Sequence, residues 1–482
     1  MRKKIGLIAG PLLFAGVLLA PAPQGLSGEG QMVLASALWM ATWWLSEALP
    51  IPATALLPLA LFPLAGVRGA GEVSAAYMDP NIVLFMGGFF LAQAIQRWGL
   101  HRRIALFILV KVGSRPARLV LGFMLATAFL SMWVSNTATA IMMLPIGIAV
   151  LAQMEERGLS ERSQLPAVLM LGIAYAASIG GTATLIGTPP NIVLASQYAH
   201  LFHDRPQIGF VEWMTIGVPF AAVFLPLVWI YLTRWFSSVA GEDAVGSADY
   251  LRQQYRELGP LSSAEKRVGI VFALAAAGWI FRRDIHLGFF GIPGWSHMLG
   301  IEGTVHDSTV AVAASLLLFT IPADWKKGKF LLNWEWARKI PWGVLVLFGG
   351  GIALAQAMDA SGVAGWIGNG LEFFAGFPKI ALIAVVCLTL TFLTEVTSNT
   401  ATSTIFMPIL AGLSVTLGVD PLLLMIPGAL SASCAFMLPV ATPPNAIVFG
   451  SNRVTMQQMS RAGLALNFLG AALITLLISL LY

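Results

Sequence analysis

Two five-residue clusters carry most of the polar chemistry in this chain. They are Ser135-Asn136-Thr137-Ala138-Thr139 and Ser398-Asn399-Thr400-Ala401-Thr402. Each lies inside a long apolar run, FLSMWVSNTATAIMMLPI from Phe129 and FLTEVTSNTATSTIFMPI from Phe392. Hydroxyls and amides are costly in such a run unless they have partners. Ser and Asn are favoured helix N-caps. A helix that resumes at Ala138, and its mirror at Ala401, presents free N–H groups and the positive end of its dipole. Two such ends meeting at mid-depth form a cradle for an anion, above all a carboxylate. The Asn and Thr side chains add uncharged donors. Two matched donor sets suit a substrate with a carboxylate at each end. A single cluster would be explained as the cap of a kinked helix; the matched pair is not.

The pairing extends beyond the clusters. Asn136 and Asn399 stand 263 residues apart, and so do Gln93 in LFMGGFFLAQAI and Gln356 in LFGGGIALAQAM. Two motifs at one offset define an internal repeat. A third pair, GTPPNIV from Gly187 and ATPPNAIV from Ala441, follows at a shifted offset, with EERGLSERSQ as the extra link in the first half. Proline removes an N–H, frees carbonyls and can start a new helical arm. Thus one break in each half would offer donors to an anion, and the other would offer oxygens to a cation. No Arg or Lys lies in either cluster. A dianion brought there needs positive charge from elsewhere, and Na+ held by unwound carbonyls and hydroxyls would supply it.

The elements that must position these clusters are apolar helices. The chain is 57% hydrophobic and 11% charged over 482 residues, against about 25% charged in soluble domains. Its mean hydropathy is +0.79. This is the composition of an all-α polytopic membrane protein. The net charge of +5 and pI near 9.3 do not point to nucleic acid, because the basic residues fall in loops between apolar spans. Spans are predicted near 5–21, 31–48, 51–66, 82–98, 165–185, 212–234, 267–281, 307–322, 342–358, 421–438 and 463–481. HRRIALFILVKVG reads as a basic amphipathic helix on the membrane surface. The arms around each Ser-Asn-Thr cluster are short for crossing, so each run is read as a re-entrant hairpin whose tip stops at the midplane.

Eleven crossings and two hairpins place the N-terminus in the cytoplasm and the C-terminus outside. All but five of the 28 Lys and Arg residues (Arg68, Arg205, Arg282, Arg283 and Lys379) then face inward. The halves become inverted repeats, the architecture of secondary transporters. The organisation is an N-terminal transmembrane helix in 1–30, a first repeat in 31–236, a cytoplasmic linker in 237–265 and a second repeat in 266–482. The basic start and short apolar run of the N-terminus also resemble a signal peptide; an uncleaved helix is the preferred reading, since no soluble domain follows.

Other features are weaker. Glu395, opposite the apolar Met132 of the first half, is an intramembrane carboxylate that would tune a cation site, carry a proton or pair with a neighbouring helix. Gly87-Gly88 and Gly350-Gly351 read as close helix packing. Cys387 and Cys434 read as core thiols. His286, His297 and His306 lie in the longest external loop without a ligand spacing. No P-loop is present, and no cofactor is expected beyond Na+ as coupling ion.

The paired Ser-Asn-Thr clusters, the paired Thr-Pro-Pro-Asn breaks, MLPVATPPNAIVFGSN from Met437 and WARKIPWGVLVLFGGGIALAQAM resemble the divalent anion:sodium symporter family over nearly the whole chain. That family includes dicarboxylate, citrate and sulfate carriers. The resemblance implies an elevator-type transporter, a homodimer in which a mobile domain carries both hairpins past a scaffold. It places a first Na+ at Ser131, Ser135, Asn136 and Gly187. A second would use Thr394, Thr397, Asn399 and Ala441, with Thr397 where some relatives have alanine. The substrate would lie among Ser135, Asn136, Thr137, Ser398, Asn399, Thr400 and the Pro189 and Pro443 loops. The leading function is Na+-coupled import of C4 dicarboxylates such as succinate, malate or fumarate across the cell (inner) membrane, in contact with lipid. Alternatives are a Na+-independent dicarboxylate exchanger and a citrate or sulfate symporter. An intramembrane enzyme would need a nucleophile–base set or metal ligands at depth, and no His lies in a predicted span; an ion channel, also disfavoured, should show flux without saturation or counterflow.

Overall fold

The computed structural model describes residues 2–113, 115–157, 159–160, 163–237, 247–287 and 290–482. Helices dominate, and their ends follow the local chemistry. The first helix, Arg2–Leu19, packs along Gly28–Ser46. Gln31 donates to the carbonyls of Val17 at 2.6 Å and Ala20 at 2.8 Å. Gly10 lets the first helix approach Trp39 and Trp43 with no room for a Cβ. The region read as one span over 51–66 is two helices, Ile51–Thr54 and Leu57–Leu64. Each begins with a proline in its first turn, where the missing N–H is harmless but prevents one continuous helix. Pro80–Arg97 is capped by Asp79, whose carboxylate accepts from Asn81 N at 2.8 Å. Gly87 lies against Ala311 and Gly350 against the Ala55 carbonyl, the close packing their sequence implied.

Two helical hairpins follow the clusters. Pro116–Ser131 turns into Asn136–Glu156, and Lys379–Thr394 turns into Asn399–Thr416. The helices resume at Asn136 and Asn399, two residues earlier than the sequence indicated. Each tip meets a helix interrupted midway. Leu165–Gly181 stops, unwinds through Thr188, and restarts as Pro189–Leu201. Leu422–Ala432 stops and restarts as Pro443–Phe449. The predicted spans 165–185 and 421–438 therefore end early, because the chain leaves the helix six or more residues before the prolines that restart it.

A long helix braces each interruption: Phe210–Ile230, continued by a π-helical turn, and Met456–Leu481. Each lays a glycine on the unwound backbone. A Cβ on Gly217 would meet the Thr182 carbonyl, and one on Gly463 would meet the Phe436 carbonyl.

The amphipathic helix is Leu100–Val112. Its Arg103 is buried and reaches Glu265 at 2.9 Å, with further bonds to the carbonyls of Leu258 and Gly259. The linker over 237–265 contains a helix, Ser247–Glu257, while residues 238–246 lie outside the described residues. The all-α expectation needs one correction. Two small antiparallel hairpins occur, Ile285–Leu287 with Phe290–Ile292 and Pro322–Asp324 with Lys329–Phe330. They close loops, where only a few residues separate the paired strands. Among the described residues, five helical segments are long and apolar enough to cross a membrane: 70–97, 136–156, 210–236, 342–360 and 456–481. Six shorter apolar helices accompany them.

Candidate functional site

The two tips and the two interruptions converge on one cavity of about 990 Å3. Ser135, Asn136, Thr137, Gly187, Thr188 and Pro189 line it from the first half. Thr397, Ser398, Asn399, Thr400, Ala441 and Pro443 line it from the second. Ser131 and Thr394, also expected at the site, are buried directly behind the tips and do not line the cavity. Four helices therefore begin at this cavity, at Asn136, Pro189, Asn399 and Pro443. The helices at Asn136 and Asn399 turn first-turn N–H groups and positive dipole ends to the cavity. Those at Pro189 and Pro443 open on proline pairs that carry no N–H, and the next N–H groups, of Asn191 and Asn445, bond back to Thr188 and Thr442.

The two halves repeat the same hydrogen bonds. Ser131 Oγ lies 2.7 Å from the Asn136 amide and donates to the Ala177 carbonyl at 2.7 Å. Thr394 Oγ1 lies 2.7 Å from Asn399 Oδ1 and 3.1 Å from the Ala432 carbonyl. Asn191 of the first Thr-Pro-Pro-Asn donates to the Thr184 carbonyl at 2.7 Å and that of Gly181 at 3.1 Å. Asn445 of the second donates to the carbonyls of Leu438 at 3.1 Å and Ala435 at 3.2 Å. These fully buried asparagines fasten the unwound backbone on itself. Both asparagines stand out in the sequence, but nothing there signals this role. Sequence reading also missed Ala177 and Ala432, because their contribution is a carbonyl that any residue type offers.

One end of the Asn136 amide is 2.7 Å from Ser131 Oγ, 3.1 Å from Ala177 O and 3.3 Å from Gly187 O. If that end is nitrogen, it donates to three acceptors. If it is the carbonyl oxygen, the Ser131 hydroxyl can donate to it, and the Ala177 and Gly187 carbonyls lie alongside. Amide orientation responds to such partners. The hydroxyl, amide and carbonyl oxygens gathered here are of the kind that hard cations accept as ligands.

Glu395 is 3% exposed and is the first residue of the second tip's turn, directly after Thr394, but it does not line the cavity. Its carboxylate accepts from the backbone N–H groups of Phe436 at 2.7 Å, Met437 at 2.9 Å and Leu438 at 3.0 Å, and from Asn467 Nδ2 at 2.7 Å. It satisfies the unwound donors of the second interruption. Of the roles open to it from sequence, pairing with neighbouring elements is the one the geometry shows. In the first half Thr184 Oγ1 instead bonds the carbonyl of Met132, the counterpart of Glu395.

Gln93 lines the cavity. Its repeat mate Gln356 lies elsewhere, 3.1 Å from His200 Nδ1; His200 Nε2 is 2.7 Å from Asp79 Oδ2. Of the three loop histidines, the side chain of His286 lies outside the described residues. The side chain of His297 pairs with Glu302 at 2.8 Å and Asp284 at 3.1 Å, and His306 caps a helix.

A helical fold with paired hairpin tips meeting paired helix interruptions around one polar cavity is that of a secondary membrane transporter. The profile of the family described as "Sodium:sulfate symporter transmembrane region" matches residues 2–482. The chain belongs to that family, whose members are transporters and not enzymes. It is 46% identical over 480 residues to the "Sodium-dependent dicarboxylate transporter SdcS" of Staphylococcus saprophyticus, covering 98% of this chain and 90% of that one. It is 45% identical, with the same coverage, to the protein of that name from Staphylococcus aureus. Among solved structures, the fold is similar to the Alcanivorax borkumensis YdaH transporter, with a TM-score of 0.60 at 16% identity over 92% of this chain and 98% of that one. It is also similar to Neisseria gonorrhoeae MtrF, with a TM-score of 0.56 at 12% identity over 99% and 94%.

Proposed function

We infer that this protein is a Na+-coupled importer of C4 dicarboxylates. The observation that carries the reading is the duplicated tip. Asn136 and Asn399 each stand between an oxygen cluster and the open cavity, so one residue can serve a cation on one side and a carboxylate on the other. The first Na+ would use Ser131, Ser135, Asn136 and Gly187, with the Ala177 carbonyl added. The second would use Thr394, Thr397, Asn399 and Ala441, with the Ala432 carbonyl added. The substrate would lie across Ser135, Asn136, Thr137, Ser398, Asn399 and Thr400, against Pro189 and Pro443. The name shared by the relatives at 45–46% identity supports both Na+ and a dicarboxylate.

On this reading the hairpins are re-entrant, the halves are inverted repeats, and the N-terminus is cytoplasmic. The hairpins and interrupted helices move as one body past a homodimeric scaffold, in the membrane of the cell. The cavity opens on the side of residue 2, so the state is inward-facing. The test is uptake of labelled succinate into proteoliposomes with Na+, or with choline in its place. Saturable uptake that requires Na+ supports the symporter. Uptake indifferent to Na+ but stimulated by internal dicarboxylate replaces it with an exchanger.

A further inference from the structure

The base of the cavity has no charged side chain, but its rim is strongly basic. Arg2, Lys3, Lys4 and Lys339 line the opening, and all four are exposed. Glu47 is the single acidic lining residue, 3.7 Å from Lys3. Three of the cations come from the first turns of the N-terminal helix, which the Gln31 bonds and the Gly10 contact hold against its neighbour. The fourth, Lys339, lies over the ring of Trp336 with its Nζ 3.8 Å from the centroid. Arg2 reaches further inward. Its guanidinium donates to the carbonyl of Leu45 and, at 3.3 Å, to that of Val396, two residues before Ser398. A cation is thus held beside the second tip, in reach of an anion on its way to the base.

We propose that Arg2, Lys3, Lys4 and Lys339 form a vestibular site for small dicarboxylates, which collects the dianion on this face and sets its apparent affinity from this face alone. The proposal rests on the dicarboxylate reading and adds a second, weaker site to it. Clustered like charge at the mouth of a low-dielectric cleft concentrates counter-ions. The rim is solvated, so its field is screened: the Debye length is about 8 Å at physiological salt and about 3 Å at 1 M. The effect must therefore fade with ionic strength, whereas binding at the neutral base has no such dependence on the rim. The rim is also one-sided. Substrate that enters from the opposite face reaches the tips without passing it.

The experiment compares inside-out with right-side-out membrane vesicles. Wild type is set against Lys3→Gln/Lys4→Gln/Lys339→Gln, and against the charge-keeping Lys→Arg triple at the same positions. Arg2 is left intact because its carbonyl bonds have a structural share. At low ionic strength the Gln triple raises the KM for succinate on the vestibule face by about fivefold or more. It leaves KM on the other face unchanged, and choline chloride erases the difference. The Arg triple behaves as wild type. Equal KM in all three proteins at low salt would mean the charges serve only topology and lipid contact, and would overturn the proposal. So would an equal shift on both faces.

A second arm needs no transport. A fluorophore on Val440→Cys, an exposed cavity position, is quenched by iodide and by neutral acrylamide. The Gln triple lowers iodide quenching alone, and succinate competes with iodide in wild type. If wild type carries no succinate but iodide quenching still follows the rim charges, the transport reading falls and the vestibule stands. If iodide quenching ignores the charges, the vestibule falls.

Discussion

Each hairpin tip is held by a hydroxyl five residues before an asparagine, Ser131 before Asn136 and Thr394 before Asn399. Behind each hydroxyl is one carbonyl, of Ala177 or Ala432, on the interrupted helix. Removing the amide takes away both a ligand for the proposed cation and a donor for the substrate. A hydrogen bond to a charged group contributes about 1.5–3 kcal/mol, roughly ten- to a hundredfold in binding. Asn136→Ala and Asn399→Ala should each raise the succinate KM and the Na+ needed for half-maximal uptake, both by about that factor. Thr394→Ala should raise the Na+ requirement while leaving the maximal rate at saturating Na+ near wild type, since the buried hydroxyl does not line the cavity. Flux measured against Na+ and succinate separately decides this. A Thr394→Ala protein that loses succinate affinity at saturating Na+ would break the assignment. At this scale sequence carried much of the site. Polar side chains in an apolar run are conspicuous, and duplication marks them. The Ala177 and Ala432 carbonyls left no trace, because backbone oxygen has no residue-type signature. The basic rim was equally hidden, since residues 2–4 and 339 meet only through tertiary packing.

Interrupted helices leave N–H and C=O groups without ladder partners, and the two halves answer this differently. The first uses short turns and Asn191. The second adds Glu395, which takes three successive N–H groups and Asn467. Glu395→Gln puts an amide NH2 where donors converge, at a cost of about 1–3 kcal/mol for each group left unpaired. The purified variant should melt several degrees lower, while its Na+ half-saturation stays close to wild type. Unchanged melting with a large change in Na+ dependence would instead make Glu395 part of an ion site. On the surface, the amphipathic helix is docked by Arg103 and Glu265. Burial alone would raise the Glu265 carboxyl, but the Arg103 guanidinium and the Ser262 bonds outweigh it and hold it below the ordinary range. Its folded value is depressed, so its stabilisation is present above the ordinary glutamate value near 4.3 and is lost as pH falls below it. Thermal unfolding should show this acid-side loss, and Glu265→Gln should flatten it. An identical pH profile in the two proteins would mean that the pair contributes nothing. The helices at 100–112 and 342–360 were legible because their apolar patterns are long and regular. The points where 165–181 and 422–432 unwind were not. Hydropathy continues unbroken through Thr182–Thr188, and only bonds to Asn191, Trp213 and the Gly217 face make the unwound path favourable.

At the scale of the whole molecule, the two repeats are in different situations. The wall bearing Gln93 faces an open cavity. In the matching wall, Phe348 and Ile352 close against Ile192 and Ser196, leaving a void of only about 10 Å3, and Gln356 bonds His200. On the proposed mechanism, a mobile body that carries Pro189–Leu201 would have to part this seam to open the other side. Ser196 Oγ is 3.1 Å from Asp79 Oδ1 across it. Cross-linking Asp79→Cys to Ser196→Cys should stop transport, keep succinate binding from the residue 2 face, and release on reduction. Full transport by the cross-linked protein would exclude that motion. Coupling is the remaining consequence of the architecture. A dianion at the base of the cavity meets helix N-termini and neutral donors, and an isolated buried charge costs more than donor bonds usually return. One Na+ behind each tip would neutralise the cargo, and it would also hold Asn136 and Asn399 with their amide nitrogens turned to the cavity, in position to donate to a carboxylate. Na+ must then raise succinate affinity, and succinate must raise Na+ affinity by the same factor. Two ions would give a neutral complex indifferent to membrane potential; stimulation by a negative interior would require at least one cation more than the tips provide. Calorimetry on the purified protein can measure succinate binding in Na+ and in choline, and Na+ binding with and without succinate. Equal coupling factors in the two directions are expected, and both should shrink in Asn136→Ala. Succinate affinity that is the same in Na+ and in choline would remove Na+ from the substrate-binding step altogether.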